Sequence, residues 1–190
     1  MKPAELSDDD LVRGCIENNR KSQEILYRRY ARAMYNLCRI YESDRENAKD
    51  ILQEAFIKIF RNIGSFDSTG SLKGWMKKII TNTAIDQYRK NNKETQLIPI
   101  ENIVDPCSNE ESIASILNTK DIFSQVNRLP HGARMIFNLY AIEGYSHKEI
   151  ADLLHISEGT SKSQINRAKQ LLQQWIGGNN IKYRIIERKG

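Results

Sequence analysis

Gly144-Tyr145-Ser146-His147-Lys148-Glu149-Ile150-Ala151, followed by His155-Ile156-Ser157, is the stretch that decides the fold. Ser146 and Glu149 stand three apart, the spacing of a capping box: the serine side chain accepts from the N3 amide and the glutamate reaches back to the cap amide. Ile150, Ala151 and Leu154 then face inward, and the small Ala151 lets a second helix approach closely. His155-Ile156 makes a tight turn and Ser157 caps a further helix over residues 157–176. On that helix Ser161, Ile165, Ala168 and Leu172 recur at helical spacing as a buried stripe. Lys162, Ser163, Asn166, Arg167, Lys169 and Gln170 point outward together. An apolar face to seat the helix and a cationic, polar face to enter a major groove is the division of labour of a recognition helix. Arg and Lys donate to guanine O6 and N7, while Ser and Asn reach base edges or phosphates.

Working outward, helical periodicity dominates the chain and no alternating strand pattern stands out, so the fold class is all-α. Ser7 before Asp8, Asp9 and Asp10 starts a first helix, because carboxylates favour the positive end of the helix dipole. A second helix runs over about residues 22–41, with Leu26, Tyr30, Ala33 and Leu37 on one side. A third starts near Asp44 and carries Ala48, Ile51, Leu52, Ala55, Phe56, Ile59, Phe60 and Ile63, with Gly64 as its stop. Residues 65–71 read as a loop, and Ser71 caps a fourth helix over about 72–90. Pro99, Pro106 and many polar residues mark 91–109 as an interdomain linker. Helices resume over about 110–129, are interrupted by Pro130, and continue over 131–143. Gly177-Gly178-Asn179-Asn180 ends the last helix and leaves a basic tail. The expected plan is two small helical domains: 1–92, a linker 93–112, a second domain 113–176 and a tail 177–190.

Charge is organised along the chain. The 190 residues carry a net charge of +5, which favours an anionic partner only weakly. Residues 146–190 hold eight Lys and Arg against four acids, whereas 91–119 hold one Lys against five acids. Cys15, Cys38 and Cys107 show neither CxxC nor Cys/His spacing, so no metal site or disulfide framework is expected. Cys15 and Cys38 read as small apolar residues on helix faces. His147 and His155 read as surface or turn residues rather than ligands. No apolar run approaches the roughly 20 residues that cross a bilayer, and the acidic N-terminus lacks a secretory segment. The expected location is the cytoplasm.

A second constellation lies on the fourth helix. Leu72, Met76, Ile79 and Thr83 form one face, and Trp75, Lys78, Asn82 and Arg89 fall on an adjoining one. An aromatic, an amide and cations on one stripe suit unpaired DNA: bases stack on the ring, the amide reads edges and the cations hold phosphates. Trp75 fits either a base-binding wall or a core anchor.

The run Asp50-Ile51-Leu52-Gln53-Glu54-Ala55-Phe56-Ile57-Lys58-Ile59-Phe60 resembles the region 2 helix of extracytoplasmic-function (ECF) sigma factors, members of the sigma-70 family. Phe66, Leu72, Trp75, Ile79, Asn82, Asp86 and Arg89 resemble the stretch of that family that melts and reads the −10 element. Leu129-Pro130, Arg134, Phe137, Glu143-Gly144-Tyr145-Ser146, Glu149-Ile150-Ala151, Ile156-Ser157, Gly159-Thr160, Lys162-Ser163 and Arg167-Ala168 resemble region 4, which binds the −35 element. The resemblance implies that Asp50, Gln53, Glu54 and Phe56 face the β′ clamp helices of core RNA polymerase. It implies that Phe66, Trp75, Lys78, Asn82, Asp86 and Arg89 serve −10 DNA, with Asn82 and loop 65–71 capturing a flipped base. It places Thr160, Lys162, Ser163, Asn166, Arg167 and Lys169 at the −35 duplex. The implied partners are core RNA polymerase (β′ clamp helices and β flap), promoter DNA and an anti-sigma factor, without membrane insertion. This chain departs from the family at Ser161, where Val is common, and at Gln164, where Arg is frequent.

Two rival readings remain. A conventional helix-turn-helix regulator would bind an operator without polymerase. An enzyme would need a convergent nucleophile, base or metal cluster, and the Gln53/Glu54 pair has no His partner, so no catalytic residue, metal or cofactor is expected.

Overall fold

The computed structural model describes residues 6–95 and 119–177. The chain divides into two units, Met1–Lys90 and Asn91–Gly190. Every described element is helical.

The first unit holds α1 (Asp8–Ile16), α2 (Arg20–Tyr41), α3 (Arg45–Asn62), a short 3-10 turn (Ile63–Ser65) and α4 (Leu72–Thr95). Side-chain caps start its helices. Ser7 and Asp10 form a capping box on α1, Asn19 accepts from Lys21 and Ser22 amides on α2, and Asp44 accepts from Glu46 and Asn47 amides on α3. Hydrogen bonds from Ser7 hold the Asp10 carboxyl below its ordinary range, and the Asn47 amide does the same for Asp44. Gly14 sits where α1 meets α2: a Cβ there would lie 2.2 Å from Ser22 Oγ, so the close approach requires glycine. Leu11, Leu26, Met34, Ala48, Ala55, Ile59, Met76 and Ile80 are all but completely buried. Each large apolar side chain so buried contributes about 1.5–3 kcal/mol.

Three details differ from the sequence reading. The inward stripe of α2 runs through Met34 rather than Ala33, which is half-buried. On α4, Ile79 is half-buried while Ile80, Ala84 and Ile85 are buried beside Met76 and Thr83. α4 is therefore covered over a wide arc, and a single narrow stripe under-described it. It also runs to Thr95, beyond the expected end near 90 and past the expected domain limit at 92. Lys93 and Glu94 are good helix formers and the next proline along the chain is Pro99, so nothing stops the helix earlier.

The second unit holds α5 (Thr119–Arg128), α6 (His131–Phe137), a π-helical turn (Asn138–Ile142), α7 (His147–Leu154) and α8 (Glu158–Gly177). Val126, Leu129, Ala133, Ala168 and Leu172 form a core edged by Phe137, Leu171, Trp175 and Ile176. Arg134 is 3% exposed and donates to the Asn127 and Leu129 carbonyls at 3.0 and 3.3 Å. It closes the corner that Pro130 opens. The guanidinium of Arg128 lies 4.5 Å over the Trp175 ring, a cation–π contact. The helix expected over 131–143 widens into the π-turn after Phe137, where the Glu143 amide donates to the Asn138 carbonyl. The expected linker beyond Thr95, the start of the 110–129 helix, Cys107 and the tail beyond 177 lie outside the described residues. Cys15 and Cys38 are buried free thiols, as read, and burial pushes Cys38 up to about 12. Among the described residues, no helix is long and apolar enough to cross a membrane.

Candidate nucleic-acid interface

In the second unit the expected helix-turn-helix is present in detail. Ser146 Oγ accepts from the Glu149 amide at 3.2 Å, and the Glu149 carboxylate accepts from the Ser146 amide at 2.8 Å. Those bonds hold Glu149 below its ordinary carboxylate range. α7 ends at His155, whose φ of 54° is left-handed, and the Ile156 amide donates back to the Ala151 carbonyl at 3.1 Å. The chain thereby reverses within a few residues. Ser157 Oγ accepts from the Thr160 amide at 2.9 Å and starts α8.

Ser161, Ile165, Ala168 and Leu172 are buried along α8, as the spacing requires. Lys162 and Arg167 are exposed, and Ser163, Asn166 and Lys169 are half-buried beside them. The structure thus brings the expected cationic stripe together on one helix. Two members are also used locally: the Thr160 hydroxyl meets Ser157 Oγ at 2.9 Å, and Ser163 donates to the Thr160 carbonyl at 3.0 Å. Lys162 has only a loose ion pair with Glu158, at 3.9 Å. Such a pair is worth little in water and leaves the cation available to a phosphate.

The sequence reading missed one contact here. His147 Nδ1 lies 2.9 Å from Ser161 Oγ, and the imidazole stacks on Tyr140 at 4.6 Å between ring centroids. The available signal was Ser161 itself, a polar residue on a stripe that must be buried and must therefore find a partner.

In the first unit, Ser71 Oγ accepts from the Gly74 amide at 3.0 Å and starts α4. The loop before it is shaped by Asp67, which accepts from the Thr69 amide and hydroxyl at 3.1 and 2.9 Å. Phe66 and Trp75 meet at 5.8 Å with tilted rings, and both remain half-exposed. Trp75 is therefore a partly covered ring at the mouth of the loop rather than a core residue. Lys78 and Asn82 are exposed on the following turns. Asp86 and Arg89, farther along α4, also carry ion pairs. Lys58 Nζ of α3 lies 3.0 Å from Glu54 and 3.1 Å from Asp86, and Arg89 lies 3.8 Å from Asp86. The Lys58–Asp86 pair ties α3 to α4, while the Arg89 pair lies within α4.

On α3, Asp50, Gln53 and Glu54 are exposed along one face, as expected. Phe56 corrects the expectation that it faces polymerase. It is 3% exposed, with its ring 4.7 Å from Tyr27 and 5.9 Å from Phe60. Its position falls on the inward stripe with Leu52, Ala55 and Ile59. Ile57, which the sequence reading passed over, is 53% exposed and completes the outward i, i+3, i+4, i+7 row begun by Asp50.

Comparison with known families agrees with this geometry. The Sigma-70 region 2 family matches residues 26–94, and the Sigma-70, region 4 family matches residues 119–172. The chain is 30% identical over 158 residues to the ECF RNA polymerase sigma factor SigW of Bacillus subtilis, covering 77% of this chain and 84% of that protein. It is 27% identical over 173 residues to the ECF RNA polymerase sigma factor SigM of Mycobacterium tuberculosis, covering 91% and 86%. It is 28% identical over 183 residues to the ECF RNA polymerase sigma-E factor of Escherichia coli K12, covering 90% and 95%. With both regions present in order and a relative 30% identical over most of its length, this chain belongs to the extracytoplasmic-function sigma factors of the sigma-70 family.

Proposed function

We propose that the two units divide promoter recognition between them. The first, α1 to α4, docks on the β′ clamp helices of core RNA polymerase through Asp50, Gln53, Glu54 and Ile57. It holds the melted −10 strand with Asn82, Lys78, Trp75, Phe66 and Arg89, while Asp86 pairs with Lys58 of α3. The second unit meets the β flap and lays α8 in the −35 major groove, with Arg167, Lys162, Asn166 and Lys169 toward the DNA. Of the expected linker, residues 96–112 act as the acidic connection, and residues 178–190 act as a basic tail. The protein works in the bacterial cytoplasm by binding alone, without cofactor or reaction of its own, and is restrained by an anti-sigma factor.

The observation that carries this reading is α8. Its inward stripe is fully buried while its opposite stripe presents Lys162 and Arg167 to solvent. Tethering both readers to one enzyme makes the second contact effectively intramolecular, so each affinity need only be modest. The test mixes the purified chain with bacterial core polymerase and a randomised promoter library and sequences the transcripts. A bipartite motif with fixed spacing is expected, and transcription should weaken steeply with salt because phosphate contacts release counterions. Failure to associate with core polymerase, or operator binding without it, would overturn the proposal.

A further inference from the structure

One imidazole joins three elements of the second unit. His147 is the first residue of α7, Ser161 lies in the first turn of α8, and Tyr140 belongs to the π-turn. The Ser161 hydroxyl is 0% exposed, and its bond to His147 Nδ1 at 2.9 Å supplies the partner a buried hydroxyl requires. The ring is also held on its face, stacked on Tyr140 with planes 18° apart. Thr160, Lys162 and Ser163 flank this anchor directly, so any change in the roll of α8 at Ser161 re-aims them.

We propose that His147 is a positioning residue for −35 recognition, fixing the roll of α8 through Ser161 and leaving its imidazole beside the DNA-facing lysines. This rests on the reading of α8 as the −35 helix. Among the described residues, the charged and titratable groups that act on the ring are Lys162, Lys169 and Glu158 of α8 and Tyr140 of the π-turn. Burial first, and then Lys162 and Lys169, hold His147 below its ordinary 6.5, with Glu158 acting in the opposite sense. DNA phosphates paired with those lysines would cancel part of their repulsion and raise the imidazole in the complex. A group whose value rises on binding takes up a proton, so −35 binding strengthens below that value and weakens as pH rises through it.

The test uses holoenzyme assembled from core polymerase and full-length chain, on promoters with intact and scrambled −35 elements, titrated from about pH 5.5 to about pH 8. His147→Phe and Ser161→Ala should each lose about three- to tenfold in discrimination, the size of one net hydrogen bond. The double variant should lose no more than either single one. His147→Asn, whose amide reaches the Nδ1 position, should keep discrimination but flatten the pH profile, and His155→Asn should leave the profile unchanged. Wild-type discrimination by both His147→Phe and Ser161→Ala, multiplying losses, or an unchanged profile in His147→Asn would overturn the proposal. Should His147→Phe not fold by circular dichroism, Ser161→Ala and the His147→Asn profile decide. Arg167→Ala in the same assay separates the two levels. If it has no effect, the −35 reading falls; if it weakens selection while the His147 and Ser161 variants do not, only the positioning role falls.

Discussion

The two units present their outward groups in different ways. In the first, the candidate DNA and polymerase groups stand on α3, α4 and the loop before α4, and side-chain contacts tie α4 to α2, to α3 and to that loop. Lys58 spans Glu54 and Asp86, Tyr41 reaches Thr81, and Phe66 meets Trp75. In the second, the turn into the recognition helix and its start are set by local devices: the Ser146/Glu149 box, the left-handed His155 and the Ser157 cap. Its seating is longer-range: Ser161 meets His147, Arg128 lies over Trp175, and Ala168 and Leu172 share a core with Val126, Leu129 and Ala133. On the proposed reading, the surface for a melted strand is built on a broad core, and the helix for the major groove has its ends and its roll defined.

This contrast can be broken or sharpened by substitution. The largest effect is expected at Ile80, fully buried on α4. Ile80→Ala should cost about 2–5 kcal/mol, read as a lower urea midpoint, and a change below about 0.5 kcal/mol would show that α4 is not central to that core. Next come the reading residues. Arg167→Ala should weaken selection of the intact −35 element by about 1–3 kcal/mol if it contacts a base edge. Asn82→Ala should instead impair open-complex formation more than initial duplex binding, followed by permanganate reactivity of the −10 strand. The same defect from both would erase the proposed division of labour.

Helix starts come third. Ser146→Ala should cost about 1 kcal/mol of stability. Because Ser146 holds the Glu149 carboxyl below its ordinary 4.5, the contribution of that pair is present above this pH and fades as pH falls below it. The gap between the unfolding curves of Ser146→Ala and the parent should therefore narrow in acid, leaving the part owed to the Ser146 Oγ bond with the Glu149 amide. The smallest effect belongs to Lys58→Met. Its side chain is 32% exposed, and pairs open to water are worth about 0.2–1 kcal/mol. A loss well above that range would mean that the α3–α4 bridge matters more for stability than the core beneath it.

Much of the second unit was legible because capping and turn formation are local. Ser146, Glu149, His155 and Ser157 act within a few residues of one another, so their spacing alone predicted the two helices and the buried stripe from Ser161 to Leu172. The first unit was legible in its periodicity but less so in its faces. Phe56 and Ile57 are adjacent apolar residues; one lies in the core and the other in solvent, a difference of about 100° of helix rotation. Met34 rather than Ala33, and Ile80 as well as Ile79, reflect the same sensitivity.

The order of residues was enough to establish an all-helical chain in two parts, a helix-turn-helix and the family to which it belongs, since those depend on short-range patterns. Only the folded arrangement decided that Lys58 bridges to Asp86, that Trp75 meets Phe66 and that His147 satisfies Ser161. These pairs are separated by 28, 9 and 14 positions respectively. Contacts across loops depend on how each helix is rolled and seated, and a one-dimensional pattern leaves that rotation open.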